Sequence, residues 1–158
     1  MTVLGPARFK QVDLVSEGIF TGTVTVSRRQ AGCVRFSYVP PGSKTPGRYR
    51  CQPDLETAVQ IERIENQARA AGTHYTDSRW QALHDAIRNE IHAWLVPTFT
   101  AEIYGLPGYA QLRHGCPLQI RTGAEDGSEM GAFCHLKQPQ RETNLRIRLE
   151  EYLPFGLE

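Results

Sequence analysis

The stretch FTGTVTV, residues 20–26, places apolar or small side chains on one face and threonines on the other. Alternation with a period of two, with β-branched residues on both faces, is typical of a β-strand. The same alternation returns in CVRFSY, residues 33–38. Because the link between them, residues 27–32, is polar and ends in glycine, we expect the two strands to form a hairpin.

Two further regions extend this sheet. Val12, Leu14 and Val15 indicate an earlier short strand, and residues 98–113 hold two candidate strands around a turn rich in glycine and proline. Together with the N-terminal strands they predict an antiparallel sheet. Prolines end the second long strand, because proline has no N–H for a strand ladder, so residues 40–53 are predicted to be a long loop.

Three helices are predicted, over residues 54–71, 77–95 and 139–153, from apolar side chains at helical spacing. The second carries a stripe that we expect to pack on the sheet, formed by Trp80, Leu83, Ile87, Ile91 and Trp94. The chain is therefore predicted to be a single α+β domain, residues 1–158, in which the helical segment 54–95 is inserted between the two halves of the sheet.

Composition places the chain among ordinary globular domains. Its 158 residues are 40% apolar and 22% charged, which excludes a disordered chain. No stretch approaches the roughly 20 apolar residues of a membrane span. Residues 1–20 lack the apolar core of a signal peptide, so the cytoplasm is the expected compartment.

Charge is distributed unevenly along the chain. Eight basic and two acidic residues give residues 1–53 a net charge of +6, and residues 54–158 carry −5. A basic half could meet nucleic acid or an acidic partner. The interpretation we favour is that the two parts neutralise each other within the fold.

The cysteines include no CxxC pair and are predicted to be reduced thiols, at Cys33, Cys51, Cys116 and Cys134. Zinc takes nitrogen and sulfur ligands in a tetrahedron, so His114, Cys116, Cys134 and His135 form a candidate set. Adjacent ligands such as Cys134 and His135 are awkward because neighbouring side chains diverge. We therefore expect no metal and, without a phosphate loop, a dinucleotide fingerprint or a GxSxG motif, no cofactor.

Two functional alternatives rest on charged clusters. Glu125, Asp126 and Glu129, together with His114 or His135, could form the site of an unfamiliar hydrolase. A nucleic-acid-binding module could instead use basic residues interleaved with Tyr38 and Tyr49, namely Arg28, Arg29, Arg35, Lys44, Arg48 and Arg50. A run of charges is more often a solvated surface, so nucleic acid is the least favoured partner.

The main hypothesis is a structural or protein-interaction module. Proline stiffens the loop at residues 40–53 and lowers the entropy lost on docking. Arginine and tyrosine are enriched at interface centres, so Arg48, Tyr49 and Arg50 are the predicted partner-binding residues. The expected partners are other protein chains, a second copy of this chain in a homo-oligomer, or the remaining parts of a longer chain.

Three segments resemble a region near the C-terminus of large uncharacterised bacterial proteins. They are GCVRFSYVPPGSKTPGRYRCQP (residues 32–53), RTGAEDGSEMGAF (residues 121–133) and QPQRETNLRIRLEEYLPFGLE (residues 138–158). In those proteins the preceding chain is a β-helix-like stack of short β-rungs, and the last segment runs on into further residues. The resemblance implies a piece of a scaffold-like protein, linked to phage-tail-like assemblies, and it transfers no catalytic residue.

Overall fold

The computed structural model describes residues 1–152. Short strands come first: β1 (Thr2–Val3), β2 (Ala7–Gln11), β3 (Leu14–Ser16), β4 (Ile19–Phe20), β5 (Val24–Arg28), β6 (Cys33–Arg35) and β7 (Gly47–Tyr49). Helices follow: α1 (Asp54–Ala70), α2 (Asp77–Trp94), α3 (Leu118–Arg121) and α4 (Gln138–Tyr152), with a 3₁₀ turn at Cys134–Leu136. Within this part of the chain, no helix is both long and apolar enough to cross a membrane.

The strands pair in parallel, so the predicted antiparallel sheet is wrong. β1 pairs with β4, β2 with β5, and β3 with β6, which pairs in turn with β7. Paired residues such as Thr2 and Ile19 are separated along the sequence by one full circuit of the three strand positions. The chain therefore winds into a three-sided coil, whose first turn is residues 2–18, second turn residues 19–37 and third turn residues 38–51.

The link between β5 and β6 explains why the predicted hairpin is also wrong. It turns the chain onto another side of the coil, so that β5 lies beside β2 and β6 beside β3. Gly32 closes this link with a φ of 94°, and a Cβ there would meet the Val12 carbonyl oxygen at 1.8 Å. Because only glycine accommodates both conditions, this residue lets the second turn lie directly against the first.

A repeated corner ends each turn of the coil. Glu17, Phe36 and Arg50 have positive φ angles of 57°, 46° and 48°, and each directly follows a strand in one three-stranded sheet. A residue in this left-handed region bends the chain sharply. The alternation in residues 33–38 is therefore broken at Phe36, and Tyr38 begins the third turn, where it bridges Ile19.

The coil encloses an apolar inner core. Successive side chains of a strand point to opposite faces, so Phe20 lies inside the coil while Ile19 lies outside. All three sheets contribute buried side chains to the inner core: Val15, Phe20, Val24, Val26, Val34, Val39 and Cys51. The alternation in residues 20–26 thus predicted the buried face correctly but not the direction of pairing.

An outer core fills the space between one side of the coil and the helices. Ile19 and Tyr38 reach it from the coil, and Ile87 and Ile91 reach it from α2. The first two predicted helices are confirmed as α1 and α2. The predicted stripe of α2 is buried at its centre, whereas Trp94 at its end is 43% exposed.

Residues 98–113 add no strand to the three sheets. They contain two isolated bridges, an antiparallel one between Phe99 and Leu112 and a parallel one between Ala101 and Tyr109. Phe99 and Leu112 are buried in the outer core, so the apolar pattern that predicted strands here reflects packing beside α2. The three sheets therefore lie before the helices along the chain.

The helix predicted at residues 139–153 is present as α4, and residue 153 lies outside the described part. Two contacts attach the first turn of α4: Arg121 donates to Glu142 at 2.8 Å, and Gln140 Nε2 donates to the Asp126 carbonyl oxygen at 3.1 Å. The apolar face expected on this helix is exposed at Leu145 and Leu149.

Candidate interaction surface

The predicted partner-binding residues Arg48, Tyr49 and Arg50 lie at the third turn of the coil. Val15 pairs with Val34, and Val34 pairs with Arg48. Because both valines point into the coil, Arg48 occupies the corresponding inward position of the third turn. Three internal acceptors hold its guanidinium, each at 2.8 Å: Thr45 Oγ1 from Nε, Asp54 Oδ2 from Nη1 and the Ser43 carbonyl oxygen from Nη2. Arg48 therefore braces the end of the coil against the first residue of α1.

Tyr49 and Arg50 lie on the surface. Tyr49 is 55% exposed, and its ring packs edge-on against Phe36 with centroids 5.7 Å apart. The Arg50 guanidinium lies 5.8 Å from the centre of the Tyr49 ring. Partner binding by these two residues stays a prediction, whereas the Arg48 side chain is already engaged within the chain.

We call the third turn and the start of α1 the closed end of the coil. The inward side chains Val39 and Cys51 are fully buried there. α1 begins directly after this turn, and its Thr57 hydroxyl donates to the Pro53 carbonyl oxygen at 3.0 Å. The closed end therefore exposes little of the inner core.

A cavity of about 390 Å³ lies between the closed end and the helices, with Ser43, Arg48 and His92 among its lining residues. Burial lowers the pKa of His92, and nearby Arg88 adds to the lowering, whereas the Asp54 carboxylate opposes it. His92 therefore favours its neutral form in the folded chain.

The strands of the first turn, β1, β2 and β3, form what we call the open end of the coil. Within residues 1–152, each of these strands has a strand partner on one edge only. The Ala7 N–H donates to the Thr23 carbonyl oxygen at 3.1 Å. Because successive N–H groups of a strand point in opposite directions, those of Arg8 and Lys10 point away from the coil.

The open end also exposes part of the inner core. Three side chains of the first turn belong to this core but are only partly buried: Val3, Phe9 and Val12. Unpaired backbone groups beside apolar side chains are what an added strand requires. The open end is therefore the candidate interaction surface.

A basic row runs along the outer face beside this edge. Arg8 and Lys10 are exposed on β2, Arg8 lies beside Thr25, and Thr25 bridges Lys44 of the third turn. Among residues 1–152, Arg8, Lys10 and Lys44 make no ion pair. Two arginines of the neighbouring three-stranded sheet, by contrast, pair with carboxylates.

The candidate zinc ligands His114, Cys116, Cys134 and His135 do not come together. In the described part of the chain, no three His, Cys, Asp or Glu side chains converge in a way that could hold a metal ion. All four cysteines of the chain are free thiols. Burial raises the pKa of both Cys116 and Cys134, which favours the protonated thiol over a metal-binding thiolate.

The carboxylates of the hydrolase alternative have separate surroundings. Glu125 lies 3.4 Å from an Arg35 nitrogen, and Asp126 lies 3.3 Å from Lys137 Nζ. Glu129 is only 7% exposed, and burial raises its pKa. The three carboxylates therefore have different partners, and the hydrolase alternative stays a prediction.

The open edge at β2 was missed in the sequence, although a signal for it exists. Residues 2–9 (TVLGPARF) and 19–26 (IFTGTVTV) both alternate apolar side chains around a glycine at the same position. A Cβ on Gly22 would lie 2.3 Å from the Gly5 carbonyl carbon, so these glycines meet at one corner of the coil. Similarity at a fixed offset is the signature of stacked turns, but two short copies do not stand out from chance.

The comparisons with known proteins add nothing to the description of this surface. In comparisons with models of known protein families, with curated proteins and with solved structures, nothing matches this chain. The candidate surface is therefore assigned from its own geometry.

Proposed function

We propose that this chain is a structural interaction module that ends a β-helix-like stack of parallel turns and receives the neighbouring turn at its open end. The observation that carries this proposal is a difference in burial: Val39 and Cys51 of the third turn are fully buried, whereas Val3, Phe9 and Val12 of the first turn are only partly buried. Stacked repeat proteins need a polar cap on each terminal unit. Arg48 and α1 supply one at the closed end. At the open end Gly131 and Ala132 contact Met1, Thr2 and Glu17, but within residues 1–152 the outer edge of β2 has no strand partner.

Strand addition would supply what the open end lacks. A parallel strand laid against β2 could accept the N–H groups of Arg8 and Lys10 and donate to their carbonyl oxygens. It would also cover Phe9, whose ring already packs edge-on against Phe20 with centroids 6.5 Å apart. Removing this apolar surface from water favours association by about 25 cal/mol per Å².

The resemblance to bacterial proteins with a β-rung body supports the same role. The resembling region follows a stack of short β-rungs, and the open end has the form that such a stack could continue. We extend the proposal to a larger, phage-tail-like bacterial assembly, in which the module contacts other protein chains or the remaining turns of a longer chain.

An added turn tests this proposal. A copy of residues 19–37 placed directly before Thr2 preserves the spacing at which the second turn pairs with the third. We expect the amides of Arg8 and Lys10 to exchange with solvent at least about tenfold more slowly, because they would gain acceptors. Hydrogen exchange followed by NMR measures this, and thermal unfolding should show a higher Tm.

The matched control is the same extended chain with Val24→Asp and Val26→Asp in the copied turn only. It has the same length but places charges in the inner core, so it should give neither protection nor stabilisation. If the unaltered copy leaves the exchange of both amides unchanged, the open end does not accept a turn and the proposal fails.

A further inference from the structure

Resting on this proposed function, we propose that the open end selects its partner by charge. It accepts a turn with acidic side chains opposite Arg8 and Lys10, and it rejects a second copy of this chain. An interface of this kind joins turns head to tail and prevents two open ends from closing on each other.

The basic row defines the chemistry of the accepted strand. Side chains directly opposite on neighbouring strands lie about 4.5–5.5 Å apart, so a strand added to β2 would place its outer row against Arg8 and Lys10. Opposite charges in such pairs stabilise a sheet and like charges destabilise it. Both basic side chains are exposed and make no ion pair in residues 1–152, so they are available to an acidic row.

The coil itself separates its basic side chains along this row. Arg8 and Lys44 are held apart by Thr25, which bridges both strands. In the same register Lys10 falls beside Ser27. On this outer face neither Arg8 nor Lys10 therefore lies directly opposite a basic residue of the neighbouring strand, and the next position outward suits an acidic side chain.

A second copy would break this pattern. A two-fold axis perpendicular to this sheet at the free edge of β2 would pair the β2 strands of the two copies in antiparallel fashion. The outer faces of both sheets would still point outward. With Phe9 on the axis, Arg8 of each copy would lie opposite Lys10 of the other. A shift of two residues in either direction keeps Phe9 in the inner core and still pairs like charges, either Arg8 with Arg8 or Lys10 with Lys10.

The acidic residues of the first turn do not relieve this repulsion. Asp13 accepts a hydrogen bond from Gln11 at 2.7 Å. In the two-fold pairing it would lie opposite Gly5, three residues and roughly 10 Å along the strand from the position opposite Arg8. Glu17 lies beyond β3, where its carbonyl oxygen accepts the Gly131 N–H at 2.7 Å.

Mixing the native chain with the variant Arg8→Glu/Lys10→Glu tests the inference. Each protein alone has like charges at its open end and should sediment as a monomer. An equal mixture brings opposite charges together, so we expect a heterodimer with a Kd at least about tenfold lower than that of either self-association. Added salt should weaken the heterodimer, because these charge pairs are exposed.

The variant Lys44→Glu/Arg50→Glu is the matched control. It makes the same change in net charge at two exposed residues of the third turn, which does not pair with β2, so its mixture with the native chain should stay monomeric. If the control associates with the native chain to the same extent, overall charge alone explains the heterodimer and the inference is overturned. Absence of heterodimer in the first mixture, or dimerisation of the native chain through β2, would overturn it as well.

This test fails independently of the added-turn test. The added turn places threonine and serine opposite Arg8 and Lys10, so at these two positions it reports on strand addition without an opposing charge. If the added turn protects the two amides but the mixture stays monomeric, only charge selection is refuted. If the added turn gives no protection, the proposed function itself is refuted.

Discussion

The two ends of the coil are built from the same kind of strand but end differently. At the closed end the inward row that contains Val15 and Val34 finishes in Arg48, whose guanidinium is bonded to the turn and to α1. At the open end the inward side chain of β2 is Phe9, which is only partly buried. A polar residue with internal partners ends a stack, whereas an apolar residue at an unpaired edge leaves it ready to continue.

The comparison also assigns different roles to residues that look alike in the sequence. Arg8 and Arg48 both belong to short strands of a basic segment. Arg48 lies in an inward row and is bonded within the chain, whereas Arg8 lies in an outer row and makes no ion pair in residues 1–152. The side of the strand decides whether an arginine braces the fold or faces a partner.

The largest expected effect contrasts two phenylalanines in contact. Phe20→Ala empties a fully buried site and should cost about 3–5 kcal/mol of unfolding free energy. Phe9→Ala should cost about half as much, because part of its ring is already in water. Urea denaturation measures both, and equal losses would show that the open end is as well covered as the interior. In the chain with an added turn, the loss for Phe9→Ala should approach that for Phe20→Ala.

A smaller effect should distinguish the neighbouring arginines of the closed end. Arg48→Ala removes three hydrogen bonds and should cost about 2–3 kcal/mol, because one acceptor is a carboxylate. Arg50→Ala should change stability by no more than about 0.5 kcal/mol, because this side chain is exposed. Thermal or urea unfolding compares the two variants, and a negligible loss for Arg48→Ala would remove its role as a cap.

The smallest effect is a pH dependence confined to the closed end. Burial lowers the pKa of His92 in the folded chain, so below the unfolded value of about 6.5 the unfolded chain binds more protons. The stability due to neutral His92 is thus present above that pH and decreases as the pH falls towards the folded pKa. His92→Gln should flatten the pH dependence of the unfolding free energy below about pH 6.5. An unchanged slope would mean that His92 titrates alike in both states.

The candidate surface shows where a single sequence stops being informative. Arg48, Tyr49 and Arg50 were predicted as a set because the stretch is basic, aromatic and rich in proline. The sequence could not separate them, since their roles depend on β7 pairing with β6 and on the sharp corner at Arg50. The open end was missed because a strand's unpaired edge is a property of its neighbours and not of its own residues.

Local patterns by themselves determined the long helices of this protein and the buried face of one strand. Period-two alternation identified the buried face of residues 20–26, and helical spacing identified α1, α2 and the described part of α4. Both follow from short-range geometry, because side chains repeat every two residues in a strand and about every 3.6 in a helix.

Only the tertiary structure decided how the strands pair and therefore which surfaces remain free. An alternating strand buries the same face whether its neighbour runs parallel or antiparallel, so alternation contains no information on direction. Direction was decided by close contacts between turns, as at Gly32 against Val12, and by left-handed corners at Glu17, Phe36 and Arg50. These contacts join residues about one turn apart along the chain, which is why the coil, its closed end and its open end became visible only in three dimensions.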